Sequence, residues 1–358
     1  MQVQSNKLNF TGVDIYVGID THKNNWTVAI QLGDKLYQNF SHQPDAEQLY
    51  SYLGKNFPGG TYHIAYEAGF CGFWICRYFR ENGIDCIVVN PADIPTKDKE
   101  KRKKEDKRDS RKIARELSKS ELDAIYVPSV KTQEDRFLLR TRQRLVWDLT
   151  RYKNRIKSAL YFQGIHYPAQ FQKSSTHWSN RFTSWLEQIE QTQESGKKAF
   201  EVMLTEVKHL RTSLLSVNRK IREMSRSEAY GTSTKLLMGI PGIGLITAMI
   251  LLTELEDIHR FNNIDQLCSF VGLVPSMNNS DDTIKETQIT PRSNMMLRTL
   301  LIESAWTSIR CDTALALKYY QLSHRMEPNK AIVRIAKKLI KRINYVLKYQ
   351  KEYELAVA

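Results

Sequence analysis

Four acidic residues stand out by where they fall along the chain: Asp20, Glu67, Asp106 and Asp109. Asp20 closes an alternating run from Asp14. Ile15, Val17 and Ile19 share one face of that run, and Tyr16, Gly18 and Asp20 share the other, which is the pattern of a strand. Glu67 closes a second strand, Tyr62 to Glu67, just before Ala68-Gly69. Asp106 and Asp109 are spaced i, i+3 and so share one face of a helix. Carboxylates at neighbouring strand ends, joined by a helical pair, can converge on one point. A hard cation such as Mg²⁺, with Mn²⁺ as a substitute, takes such oxygen ligands, and two ions about 4 Å apart clamp a phosphodiester during in-line displacement. The same residues also have a structural reading, in which strand-end acids are solvated and Asp106 and Asp109 are neutralised by surrounding lysines.

The elements that must position these acids can be read from the first hundred residues. Strands are expected at Asp14 to Asp20, Trp26 to Gln31 and Leu36 to Phe40, with a Gly33-Asp34 turn between the last two. A helix from Ala46 to Leu53 follows Pro44 and stops before Pro58-Gly59-Gly60. The strand Tyr62 to Glu67, a helix from Gly72 to Asn82 and a strand from Ile84 to Val89 complete a mixed sheet flanked by helices.

Composition then changes. Lys97 to Lys119 holds 12 Lys or Arg and 6 Asp or Glu, and is expected to be a flexible basic loop running into a helix near Lys107. Lys103, Lys104 and Arg108 there suit contact with phosphate. Beyond Pro128, Leu138, Arg142, Leu145, Leu149, Tyr152, Ile156 and Ala159 recur at spacings of 4 and 3. A second seam runs through Phe200, Met203, Val207, Leu210, Leu214, Val217, Ile221 and Met224, and an aromatic segment from Tyr161 to Trp185 separates the two. Such seams fit a coiled-coil arm, which an intramolecular hairpin, a subunit contact or both would satisfy.

From Ser233 the chain turns to glycine-spaced and polar blocks. Gly239-Ile-Pro-Gly-Ile-Gly244 has the spacing of a helix-hairpin-helix turn. Gly242 and Gly244 would let the backbone approach phosphate, or would simply serve a tight turn. A polar loop is expected from Ser276 to Thr290. The tail, Asn329 to Tyr349, sets Ile332, Ile335, Ala336, Leu339, Ile343 and Val346 on one face, with Lys337, Lys338 and Lys341 among the interspersed bases. That basic face suits phosphate better than lipid.

The 358 residues suffice for two or three units, read here as 1–128, 129–231 and 232–358. With 41% hydrophobic residues the chain can bury real cores, which excludes wholesale disorder. No apolar run reaches the length of a membrane-spanning helix, so no membrane partner is expected. Five cysteines without a C-x-x-C pair argue for a reducing, cytoplasmic setting and against a disulfide framework. A net charge of +14 points to a polyanionic partner, nucleic acid first.

Several blocks together resemble a known family. Tyr16-Val-Gly-Ile-Asp-Thr-His-Lys23, Ala65-Tyr-Glu-Ala-Gly-Phe-Cys-Gly-Phe-Trp74, Val89-Asn-Pro91 and Asp106-Lys-Arg-Asp109 look like the ordered blocks of the DEDD transposases, from the insertion-sequence family numbered one-ten. Phe270-Val-Gly-Leu-Val-Pro275, Asn279-Ser280, Ile289-Thr-Pro-Arg-Ser-Asn294, Leu297-Arg298 and Leu301-Ile-Glu-Ser-Ala-Trp306 resemble its C-terminal domain. The resemblance implies an α/β plus all-α chain: a RuvC-like, ribonuclease-H-type domain, a helical coiled-coil arm and a mostly helical C-terminal domain. It implies that Asp20, Glu67, Asp106 and Asp109 are the four metal-binding acids and that Ser280 is the nucleophile, with Arg292 and Arg298 among the bases meeting nucleic acid. It further implies DNA insertion and excision directed by a structured guide RNA, double-stranded DNA as substrate, a nucleoid setting, and a homodimer or homotetramer with composite active sites. The sequence departs from the family at Asp281 and Thr287, where glycines are usual. A metal-dependent junction endonuclease using the acids and water, and a catalytically degenerate nucleic-acid binder, fit the same residues.

Overall fold

The structure is a computed structural model, and it describes residues 9–95, 106–280, 283–290 and 293–355; of 106–108, 275–280 and 283–289 it describes the backbone alone. These residues form two units, 1–128 and 129–358.

The first unit is built on strands β1 (Asp14–Thr21), β2 (Trp26–Leu32), β3 (Lys35–His42), β4 (Thr61–Glu67) and β5 (Asp85–Val89), with helices α1 (Ala46–Asn56), α2 (Trp74–Glu81) and α3 (Asp106–Ser118). The sheet runs β3-β2-β1-β4-β5. β1, β2 and β3 form an antiparallel meander, while β4 joins β1 and β5 joins β4 in parallel. This is the mixed sheet flanked by helices that the sequence led one to expect, from the alternation along β1 to the apolar β5. Ile15, Val17 and Ile19 lie in one core with Leu49, Leu53, Ile75 and Phe79 of α1 and α2. Asp45 caps α1, its carboxylate accepting from the N–H groups of Glu47 and Gln48. α2 begins at Trp74, two residues later than the glycine expected to open it, because Gly72 turns the chain at φ +62°.

The opposite face of the sheet carries α3. Ser110, Ile113 and Ala114 are fully buried there, a stripe at spacings of 3 and 1. The contact is close because β1 offers no side chain at Gly18. A Cβ at that position would overlap the Ser110 carbonyl oxygen and come within 2.5 Å of the Ala114 amide nitrogen. Gly18→Ala is therefore expected to force α3 off the sheet and to cost about 3 kcal/mol of stability, at the upper end for overpacking, since both clashing atoms are backbone. Chemical denaturation of the purified variant measures it; an unchanged midpoint would contradict this packing. The helical expectation near Lys107 is met by α3, whereas Lys97 to Glu105, expected as a loop, lie outside the described residues.

The second unit opens with α4 (Val130–Phe162), followed by α5 (Asn180–Glu187) and α6 (Glu194–Met224). At 33 and 31 residues, α4 and α6 each extend nearly 50 Å. They pair antiparallel within the chain: Arg142 Nε donates to Asn218 Oδ1 at 2.8 Å near one end, and Gln191 Nε2, just before α6, donates to Gln163 Oε1 at 2.9 Å near the other. Leu149, Ile156, Phe200, Val207 and Leu210 share a core with Phe171, Phe182 and Leu186 of the aromatic segment, which closes the far end of the hairpin. Near the opposite end the seam is rotated by one residue, so that Leu139 is fully buried while Leu138, the residue picked out by spacing, is only half-buried.

The remainder packs α7 (Gly231–Met238), α8 (Leu245–Leu255), α9 (Ile264–Val271), α10 (Met295–Cys311), α11 (Thr313–Ser323) and α12 (Pro328–Tyr349) around one core. α8 is largely apolar, Thr247, Thr253 and Glu254 excepted, and is buried from Ala248 to Leu255, so it forms the centre. The tail helix buries all six residues expected on its apolar face. One expectation is overturned. Ser276 to Thr290, read as a polar loop, forms a two-stranded ribbon of β6 (Pro275–Ser280) and β7 (Thr283–Ile289). Thr283, Ile284, Thr287 and Ile289 supply the β-branched residues that favour a strand.

Asp312 fastens the C-terminal segment. Its buried carboxylate accepts from Arg342 Nη1 at 2.7 Å and from the Tyr353 hydroxyl at 2.6 Å, and it caps α11 through the Leu315 N–H. Burial alone would push this carboxyl up, but those hydrogen bonds and the guanidinium charge hold it below the ordinary carboxylate range. A lowered folded pKa stabilises the protein fully above the unfolded value and loses that contribution as pH falls through the lowered one. Asp312→Ala is expected to cost about 3 kcal/mol at neutral pH, because it leaves Arg342 without its carboxylate, and less in acid. Melting curves at neutral and acid pH measure the difference; a cost independent of pH would contradict the assignment.

Candidate active site

Ile19 of β1 pairs with Tyr66 of β4, so Asp20 and Glu67 are the next residues on adjacent parallel strands and emerge at the same edge of the sheet. The direction of α3 follows from two hydrogen bonds. Gln31, whose register partner is Tyr16, donates through Nε2 to Ser118 Oγ at 2.8 Å. Asn39, which faces Ala29 and through it Gly18, donates through Nδ2 to Ser110 Oγ at 3.1 Å. α3 thus runs antiparallel to β1, with its first turn over the carboxyl ends of β1 and β4.

Gly18 faces the step from Ser110 to Ala114. Asp20 is two strand residues further, about 7 Å, which equals about five helical residues at about 1.5 Å each. Counting back from the middle of that step reaches the stretch from Asp106 to Asp109.

Asp20 and Glu67 are each half-buried. Asp20 Oδ2 lies 3.3 Å from His22 Nε2, a neighbour that sequence reasoning assigned no role. The loop after Glu67 is tied to the same edge, with Thr21 Oγ1 and Cys71 Sγ 3.3 Å apart. Asp109 is half-buried, and the side chains of Asp106 and Arg108 lie outside the described residues. Among the described residues no three His, Cys, Asp or Glu side chains form a metal-sized cluster. The donor set at this edge is nonetheless rich in carboxylate oxygen, the chemistry that suits Mg²⁺ or Mn²⁺ over softer ions.

Ser280 belongs to the second unit, where it ends β6 opposite Thr283. Its side chain, Asp281 and Arg292 lie outside the described residues. Thr287 falls at the irregular step of the ladder, between the pairs Pro275–Ile289 and Met277–Glu286, where β7 carries one residue more than β6. A bulge is a place where glycine is often used, and this chain carries threonine there.

The ribbon is rooted by contacts that sequence spacing did not reveal. Arg298 Nη1 donates to the Thr290 carbonyl at 2.8 Å, and Asn294 donates its N–H to the Phe270 carbonyl and its Nδ2 to Glu254 Oε2. Glu254, buried in α8, is held by both arms of Arg140 from α4 at 2.8 and 2.9 Å. A Cβ at Gly272, which has φ +80°, would overlap Ser293.

The remaining candidates for nucleic-acid contact sort by environment. A Cβ at Gly242 would overlap Ser308 Oγ of α10, so close helix packing accounts for this glycine without a ligand. Gly244, the N-cap of α8, has open space beside it. Lys338 and Lys341 are exposed on α12, while Lys337 lies 3.5 Å from Asp265. Lys103 and Lys104 lie outside the described residues.

Comparison with known proteins adds an independent line. Residues 17–163 match the family model of a DEDD-type transposase of IS110 elements, and residues 234–321 match the model described as Transposase IS116/IS110/IS902 family. The four acids fall within the first match and Ser280 within the second. The chain is 32% identical over 245 residues to the putative transposase y4qE of Sinorhizobium fredii, covering 68% of this chain and 58% of that relative's length. It is 27% identical over 254 residues to the transposase for insertion sequence element IS1533 of Leptospira borgpetersenii, covering 70% and 72% of the two chains. It is 27% identical over 239 residues to the transposase for insertion sequence element IS1111A of Coxiella burnetii, covering 65% and 62%.

Proposed function

The chain belongs to the IS110 family of transposases, and from that premise we propose that it is the recombinase of an insertion sequence, cutting and rejoining double-stranded DNA at the element's ends. The observation that carries the proposal is the carboxyl edge of β1 and β4, where Asp20 and Glu67 emerge side by side under the first turn of α3. Asp20, Glu67, Asp106 and Asp109 would hold Mg²⁺ there, with Mn²⁺ as a substitute. When bound, such an ion neutralises charge on the scissile phosphate and polarises it.

Ser280 is the nucleophile in this reading. Its Oγ forms a bond to phosphorus as the ester bond to the leaving strand breaks, and the proton the serine hydroxyl gives up is balanced, through solvent, by the one the departing oxygen takes to become a free hydroxyl. The phosphoseryl ester conserves the bond energy, so the hydroxyl of another strand can displace the serine without ATP. The ribbon's anchors, Arg298 on Thr290 and Asn294 on Glu254, orient that serine. The family likeness and the +14 charge support a structured guide RNA as a second ligand and a homodimer or homotetramer as the working form. α4 and α6 bury their seams against each other, so a subunit contact on this arm uses their outer faces.

The test incubates the protein with its element ends, the adjacent non-coding RNA and Mg²⁺. A denaturation-resistant protein–DNA adduct supports the recombinase. Cleavage without adduct, lost in Asp20→Ala and kept in Ser280→Ala, would replace it with a metal-dependent junction nuclease, and binding with neither product would replace it with a degenerate binder.

A further inference from the structure

Two large aromatic side chains stand in solvent beside the acids. Phe70, three residues after Glu67, is 70% exposed, and Trp74 is 48% exposed. Leaving a phenyl ring in water forgoes about 2 kcal/mol that burial would supply, and here two exposed rings fall within four residues of each other just after Glu67. The loop that carries them is held in place. The Tyr66 hydroxyl donates to the Gly72 carbonyl at 2.9 Å and accepts from the Cys76 N–H at 3.3 Å. Cys71 meets Thr21, the residue after Asp20, and Gly72 donates to the Gly69 carbonyl. Trp74 is backed by buried Trp26, ring centroids 6.0 Å apart, and Trp26 is the register partner of Thr21. Exposed Lys23, in the β1–β2 turn at the same edge, adds positive charge.

We propose that Phe70 and Trp74 form a stacking platform for an unpaired nucleobase next to the phosphate handled by the acids. The occupant follows from the combination of features. A nucleic acid opened at the reacting phosphate presents an aromatic face together with a backbone anion, which matches aromatic rings beside a cation. Stacking on such rings is sequence-tolerant and contributes on the order of tenfold or more in affinity per base. Because the loop is preorganised, little ordering is needed on binding. The inference rests on the reading of the acids as a phosphodiester site.

The experiment uses the full-length protein in EDTA, so that no strand is cut, and a DNA duplex with 2-aminopurine at one unpaired position. The expected result is quenching of the 2-aminopurine on binding. The double variant Phe70→Ala/Trp74→Ala should lose the quench and bind the unpaired site about tenfold more weakly, with affinity for a fully paired duplex unchanged. Trp74→Phe, which keeps a ring, should retain the quench. Equal quenching and affinity in the double variant would overturn the platform, as would an equal loss on both DNAs. A shift in oligomeric state by light scattering would assign the patch to a contact between copies instead. Asp20→Ala separates the two readings: it should keep the quench, and full recombination by it would refute the acid site while leaving the stacking result standing.

Discussion

Asp20→Ala is expected to reduce recombination about 10³-fold or more, the scale on which preorganised groups at a transition state act, while the melting temperature stays within a few degrees of the parent. The two halves of this expectation come from different features. Asp20 is half-buried at the end of β1, beyond the core formed by Ile15, Val17 and Ile19, and His22 lies 3.3 Å from its carboxylate. A partly exposed pair of this kind contributes about 1 kcal/mol at most, and removing one acid from a crowded edge relieves repulsion. Glu67→Ala should behave alike, since Glu67 occupies the equivalent place on β4. Strand-transfer assays beside thermal melts measure both quantities; full activity in either variant would remove the metal site.

Ser280→Ala is expected to lower adduct formation by a factor on the order of 10⁴ or more, the scale of losing a nucleophile, while binding to the same DNA is unchanged. The backbone at Ser280 sits at the last pair of the β6–β7 ribbon, and the bonds that root the ribbon lie at its other end, at Val274, Thr290 and Asn294. Removing a hydroxyl at the tip therefore leaves those anchors in place. Gel analysis under denaturing conditions reads the adduct, and filter binding reads the affinity. An adduct that persists in Ser280→Ala would move the nucleophile elsewhere.

What the sequence disclosed depended on whether a feature was local. Alternation located β1 closely, and the 3–4 spacing of the tail picked out six of the nine residues of α12 that the structure buries. Regular period along one element is a property of that element alone. Features made by two distant segments were not legible. The Gly18–Ser110 contact, which sets the height of α3, needs one small residue on each of two elements 92 positions apart, and neither is distinctive by itself. The bond between Arg140 and Glu254 crosses 114 positions. Ser276 to Thr290 was misread because its polar residues suit a loop as well as a solvated ribbon, and β-branched residues in β7 were the signal that pointed to strands. At the candidate site the acids stood out through their places at element ends. Phe70 and Trp74 did not, since exposure has no signature in a single sequence.

The central claim is that Asp20, Glu67 and the first turn of α3 surround one point. Hydroxyl-radical cleavage from Fe²⁺ loaded in place of Mg²⁺ tests it directly, because iron cuts the backbone only near where it is bound. The expected result is three cuts, beside residues 20, 67 and 106–109, all suppressed together by excess Mg²⁺ and all lost in Asp20→Ala. Cuts at only one of these segments, or cuts unmoved by Mg²⁺ and by the substitution, would contradict it.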